Sequence, residues 1–171
     1  MPEDEIRKRT LWTLAQEIGI FENARRNARV VEIAREHAAD STLILVGSID
    51  HGQLFTEQLP GAVMAHSKMG AKKRRETIEA FKAGDLRCLV ATSLADEGLD
   101  VPCASVLILA AGGRSAAKAE QRTGRVLRPF DGKECGVIHD FHDHQHYFLE
   151  AQSKARGKLY TSLGYAIQNA A

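Results

Sequence analysis

In RCLVATSLADEGLDVPCASVLILAAGG, residues 87–113, two short apolar runs, Arg87–Ala91 and Ser105–Ala110, flank an acidic stretch that turns at Gly98. Both runs are too short for a helix of ordinary length, and they consist mostly of residues that favour the interior. Such runs read as strands buried on both faces, the signature of a parallel sheet covered by helices. Working outward, further strands are expected at Thr42–Gly47, Ala62–Ala65 and Gly136–His139. Helical stretches fall near 51–59, 71–83 and 115–127, with another near 143–156 after the last strand. Gly84 and Pro129 punctuate two of these helices, as a left-handed cap and a stop respectively. Before the first strand, Phe21, Ala24, Ala28, Val31, Ala34 and Ala38 recur at helical spacing and predict one helix with an apolar stripe. A weaker helical pattern at 4–17 is expected to end at Gly19. The fold class is therefore α/β, three layers with a mostly parallel central sheet flanked by helices.

Length and composition set bounds on function. The 171 residues suffice for one domain with a proper core, and 44% hydrophobic with 26% charged residues is ordinary for a globular chain. A net charge of +1 supplies no global basic field, so any polyanion site must be a local patch. No apolar run approaches a membrane span, and the N-terminus MPEDEIRKR is unlike a signal peptide, so a cytoplasmic protein with no membrane partner is expected. Cys88, Cys103 and Cys135 fall in or beside apolar runs and read as buried free thiols of a reducing compartment.

An open parallel sheet binds ligands at the carboxyl ends of its strands. In chain order, the residues just past the expected strands are Ser48, then His66 and Lys68, then Thr92 and Ser93, then Gly112-Gly113-Arg114, then Asp140. Small hydroxyls, glycines and basic side chains along one edge suit a phosphate-bearing ligand, although the same small polar residues also serve as helix caps. Thr92 can offer its hydroxyl and N–H to a phosphate, and Asp100, just past Gly98, can accept from a sugar hydroxyl. The alternative is a helix cap at Thr92 or Ser93 and a plain turn at Gly98-Leu99-Asp100. In AEQRTGRVLRP, residues 119–129, a helix would place Gln121, Arg125 and Arg128 on one face, an arrangement suited to a phosphate. Gly124 between these arginines predicts a close approach by another group. The run Lys72-Lys73-Arg74-Arg75 spreads around its helix, with Lys72–Glu76 and Arg75–Glu79 as pairs, and reads as a solvated face. HDFHDHQHY, residues 139–147, could hold zinc or nickel through His142 and His146 if 142–146 were helical; the other reading is a strand end leading into a polar helix start. No phosphate loop of the form GxxxxGK[ST] is present.

VATSLADEGLDVP and QRTGRVLRP resemble motifs V and VI of superfamily 2 helicases and translocases. LILVGSIDHGQLFTEQL resembles motif IV, and HSKMGAKKRRETIEAFKAGDLRCLVATS resembles the block before motif V, with His66, Met69, Arg74, Phe81 and Gly84 at matching spacings. FENARRNARVVEIAREH resembles the helix that opens this domain in phage-type and repair-type members. The likeness spans residues 18 to about 165 and implies the second, C-terminal RecA-like domain, at 21–171, after an N-terminal helical or linker segment at 1–20. It implies that ATP and Mg²⁺ are held with an N-terminal RecA-like domain, in the same chain or a separate subunit, which carries motifs I and II. Arg125 and Arg128 are then expected as arginine fingers, with Gln121 near the γ-phosphate and Gly98 and Asp100 on the nucleotide side. Thr92, Ser93, Ser48, His66 and Lys68 match positions on the path of a single-stranded or duplex nucleic acid. Competing readings are a non-catalytic nucleic-acid or protein-binding module that retains this fold, and a flavodoxin-like binder. The intact Gln121, Arg125, Arg128 and Asp100 argue against the first. The second lacks a Gly-rich turn after the first strand.

Overall fold

The computed structural model describes residues 3–92, 100–112, 123–124, 128, 133 and 135–169. Five strands, β1 (Thr42–Val46), β2 (Val63–Ala65), β3 (Cys88–Thr92), β4 (Val106–Ile108) and β5 (Val137–His139), form one sheet in the order β2-β3-β1-β4-β5. Every pairing is parallel. The five expected strands are all present.

Alternation along the strands divides the core in two. Leu43, Leu45, Leu89, Ala91, Leu107 and Leu109 face one side, where they pack with Phe81 of α4 (Ala71–Ala83) and with Val101 and Ala104. Ile44, Val46, Val90, Val106, Ile108 and Ala110 face the other, against α2 (Ala24–Glu36) and α3 (Ile49–Gln58). Helices on both faces of a parallel sheet make the three-layer architecture expected from sequence. Gly84 caps α4 with φ of +83°, the left-handed cap its position predicts.

Two helical expectations are corrected. Gly19 does not end α1 (Glu3–Gln16), because the chain continues through a π-helical turn, Glu17–Phe21. A Cβ on Gly19 would stand 2.5 Å from Leu149 Cδ1, so the glycine lets this turn pass close to α5 (Tyr147–Ser162). Trp12, Ile20 and Leu149 form a third apolar cluster there. On α2 the buried face is Arg26, Asn27, Val30, Val31, Ile33 and Ala34, while Ala24, Ala28 and Ala38 are exposed. The stripe is rotated because two polar residues go inward with partners waiting for them. Asn27 Nδ2 donates to Phe21 O at 2.8 Å, and Arg26 joins a buried ion cluster.

That cluster sits where β5 ends. Arg26 Nε donates to Asp143 Oδ1 at 2.8 Å, its Nη1 donates to Ala110 O, and its guanidinium lies 4.3 Å from the Phe141 ring centroid. Arg156 on α5 donates to both oxygens of Asp140, at 2.7 and 3.0 Å, and Tyr160 OH donates to Asp140 at 2.8 Å. Burial pulls down the proton affinity of Arg26, and Asp143 opposes it by charge and hydrogen bond. Burial acts the same way on Arg156, but the charge and hydrogen bond of Asp140 outweigh it.

Beside the cluster, His51 is buried with Nε2 3.0 Å from Asn27 Oδ1, while its Nδ1 meets no partner among the described residues. Burial, helped by the charge of Arg26, pushes its pKa down from 6.5 to about 4. Between those two values the unfolded chain binds the proton and the folded chain does not, so stability falls as pH is lowered through this window. The full His51 contribution is present above pH 6.5. Relative to a His51→Gln variant, the wild type should lose about 3 kcal/mol of unfolding free energy between pH 7 and pH 4. Urea titrations of both proteins across this range check it; parallel pH profiles would contradict a neutral buried His51.

Candidate nucleotide and nucleic-acid interface

The register sets the strand ends side by side. Ala65 pairs with Ala91 and Val46 with Thr92, so the residues just past β1, β2 and β3 share one edge. Ser48 stands there as the N-cap of α3, its Oγ accepting from His51 N–H at 3.1 Å. That satisfies the capping reading for Ser48 and leaves its hydroxyl proton free to donate. Thr92 is buried, and its Oγ1 has no hydrogen-bond partner among the described residues. The half-buried His66 likewise has an enclosed Nδ1 without a partner, while Lys68 is exposed beside it. Thr42 Oγ1 and His51 Nδ1 are in the same condition elsewhere in the fold.

Asp100 and Arg128, both expected to meet the nucleotide, are brought together. Arg128 Nη1 donates to Asp100 Oδ1 at 3.2 Å, with both side chains more than half exposed. Lys133, which the sequence reading missed, ties the same two segments through their backbones. Its Nζ donates to Pro102 O at 3.1 Å and to Arg128 O at 3.2 Å, and burial lowers its proton affinity. A lone lysine carries no pattern by which it could have been found. Ser93, Gly98, Gln121 and Arg125 lie outside the described residues, as do Gly113, Arg114 and Pro129.

Other expectations at this end of the molecule change. Asp140 comes directly after β5 as expected, but Arg156 and Tyr160 occupy it, so it belongs to the scaffold. Residues 142–146 are not helical, and α5 starts only at Tyr147, with His146 as its N-cap. His142 and His146 therefore do not share a helical face, and no group of three or more metal-binding side chains forms among the described residues. Nothing described comes within 4 Å of a Cβ built on Gly124, so the close approach expected there is not found. Cys135 is exposed, contrary to a buried thiol, whereas burial raises the Cys88 thiol to about 11. Glu79 pairs with Lys82 at 3.1 Å in place of Arg75, and Lys72 meets Glu76 at 3.9 Å.

The model of the helicase conserved C-terminal domain matches residues 25–129. The chain belongs to this family. Among relatives of this helicase C-terminal domain, "Putative helicase 22" of Sulfolobus islandicus filamentous virus (isolate Iceland/Hveragerdi) is 41% identical over 88 residues, 52% of this chain and 16% of the relative. The DNA 3'-5' helicase XPB of Kineococcus radiotolerans is 34% identical over 104 residues, 60% of this chain and 18% of the relative. The helicase domain thus spans under a fifth of the length of these relatives. A solved structure of the C-terminal domain of the DEAD-box protein Dbp5 superposes with a TM-score of 0.64 at 20% identity, covering 83% of this chain and 80% of that one. At that identity the likeness shows the fold, and the fold is RecA-like. Among the described residues no helix is long and apolar enough to cross a membrane.

Proposed function

We propose that this helicase C-terminal domain is the second motor half of an ATP-dependent nucleic-acid helicase or translocase, resident in the cytoplasm. ATP and Mg²⁺ are held with an N-terminal RecA-like domain, in the same chain or in a separate subunit, and the C-terminal domain closes over them. The motor domain proper occupies 21–171, with 1–20 as a helical segment before it. The observation that carries this reading is the Asp100–Arg128 pair, which joins the two segments that the resemblance to motifs V and VI implies at the nucleotide. A binding module without motor function has no need to keep an acid and an arginine poised together in this way. Arg128, with Arg125, acts as a finger on charge developing at the transferring phosphoryl group; Gln121 stands near the γ-phosphate, and Gly98 and Asp100 meet the sugar side. Closing and opening of the cleft then changes the spacing between two grips on the strand.

The grip on this side is the edge with Thr92, Ser93, Ser48, His66 and Lys68. The isolated domain should bind single-stranded nucleic acid weakly, with little sequence preference. Two or three phosphate contacts give a log–log salt slope of roughly −1.5 to −2. Thr92→Ala and Lys68→Ala should weaken binding evenly across sequences, and Lys73→Glu, on an exposed helix face, should matter less. Fluorescence anisotropy at several salt concentrations checks this. Salt-independent binding, or a larger loss from Lys73→Glu than from Thr92→Ala, would move the strand to another face.

A further inference from the structure

Away from this edge, two histidines from distant parts of the chain meet where α2 ends. His37 is the C-cap of α2, and the turn after it is closed by Asp40 N–H donating to His37 O at 2.9 Å. The same turn sets Asp40 Oδ2 2.8 Å from His37 Nδ1. With a carboxylate there, Nδ1 of His37 is the nitrogen that carries the proton, and its Nε2 lone pair accepts from the Nε2–H of His139, the last residue of β5, at 3.0 Å. His139 pairs in register with Ile108, whose side chain lies on the α2 side of the sheet.

From this geometry we infer that His37 and His139 form an open two-imidazole site for a late first-row divalent metal ion such as Ni²⁺, Cu²⁺ or Zn²⁺. Two nitrogens bound at about 2.0–2.1 Å stand about 2.9 Å apart across a right angle and about 3.3–3.4 Å apart across a tetrahedral one. The 3.0 Å of the hydrogen bond falls between these values, so an ion can take the place of the shared proton, which is released, with a small turn of the rings. The carboxylate behind His37 completes the arrangement by which proteins orient a metal-binding imidazole. Imidazole ligands suit these ions and exclude Mg²⁺ and Ca²⁺, which take oxygen. His37 and Asp40 both reach solvent, which gives the ion an entry and leaves water to fill its remaining positions. The bound ion would staple the end of α2 to the edge strand β5, independently of the nucleotide and nucleic-acid sites.

Isothermal titration of the purified, tag-free chain with NiCl₂ and ZnCl₂ tests the site, with a thermal melt at each metal concentration. One ion per chain should bind and raise the melting temperature. His37→Gln and His139→Gln should each abolish both effects, and Asp40→Asn should weaken binding by about 10- to 100-fold at unchanged stoichiometry. His142→Gln, His144→Gln and His146→Gln should bind as the wild type does, and MgCl₂ should give no signal. Circular dichroism of each variant confirms folding before titration. Absent binding, or binding that survives both His37→Gln and His139→Gln, overturns the proposal; loss on changing His142, His144 or His146 instead would place the metal in that histidine run.

Discussion

Replacing Arg128 by alanine, in the chain joined to its ATP-holding half, is expected to lower kcat on the order of 10³–10⁵-fold while nucleic-acid affinity stays nearly unchanged. The magnitude is that of an arginine finger, which acts on charge present only in the transition state. The local structure permits the role. The ion pair to Asp100 is exposed, and such pairs contribute about 0–1 kcal/mol, so Arg128 can exchange Asp100 for a phosphate at little cost. Arg125→Ala should behave in the same way. Steady-state ATPase kinetics beside strand-binding titrations separate the outcomes. Retained turnover with lost strand binding would assign these arginines to the nucleic-acid path.

The second large effect concerns stability. Asp143→Ala should cost about 3–5 kcal/mol, because it leaves Arg26 charged and buried without its carboxylate. Arg26 also reaches Ala110 O, in the segment that leads from β4 to Gly112, so the loss should loosen the base of the arginine-bearing segment. Denaturant midpoints report the loss, and the double variant Arg26→Met with Asp143→Ala should recover much of it, since the orphaned charge is gone. A single-variant loss below about 1 kcal/mol would mean that water or another group replaces the carboxylate.

The contrast between these two residues shows what could be read from the sequence. The strands were legible because five short apolar runs allow few other structures, whereas their order and register were not, since a run buried on both faces has no alternation to set its pairing. Asp100 and Arg128 could be singled out because their motifs are local in sequence, and the structure pairs them. Arg26, Asp143 and Arg156 were not, since a charged residue reads as surface unless its partner is known, and Arg26 and Asp143 are 117 positions apart. The helical stripe on α2 was misplaced for the same reason: the interior accepts Arg26 and Asn27 because Asp143, Ala110, Phe21 and His51 satisfy them. The histidine pair escaped too. The histidines crowd in sequence at 139–147, while the ring that meets His139 comes from His37, 102 positions away. Gly19 misled because a glycine signals a helix end as readily as a close helix crossing.

The central claim is that this domain completes an ATPase whose phosphate loop lies elsewhere. Steady-state ATP hydrolysis, measured for this chain alone, for an N-terminal RecA-like domain alone and for the two joined, tests it most directly. The account predicts no appreciable turnover by this chain with or without single-stranded nucleic acid, and nucleic-acid-stimulated turnover when the halves are joined, abolished by Arg128→Ala. Robust hydrolysis by this chain alone, co-purifying with it, would contradict the account.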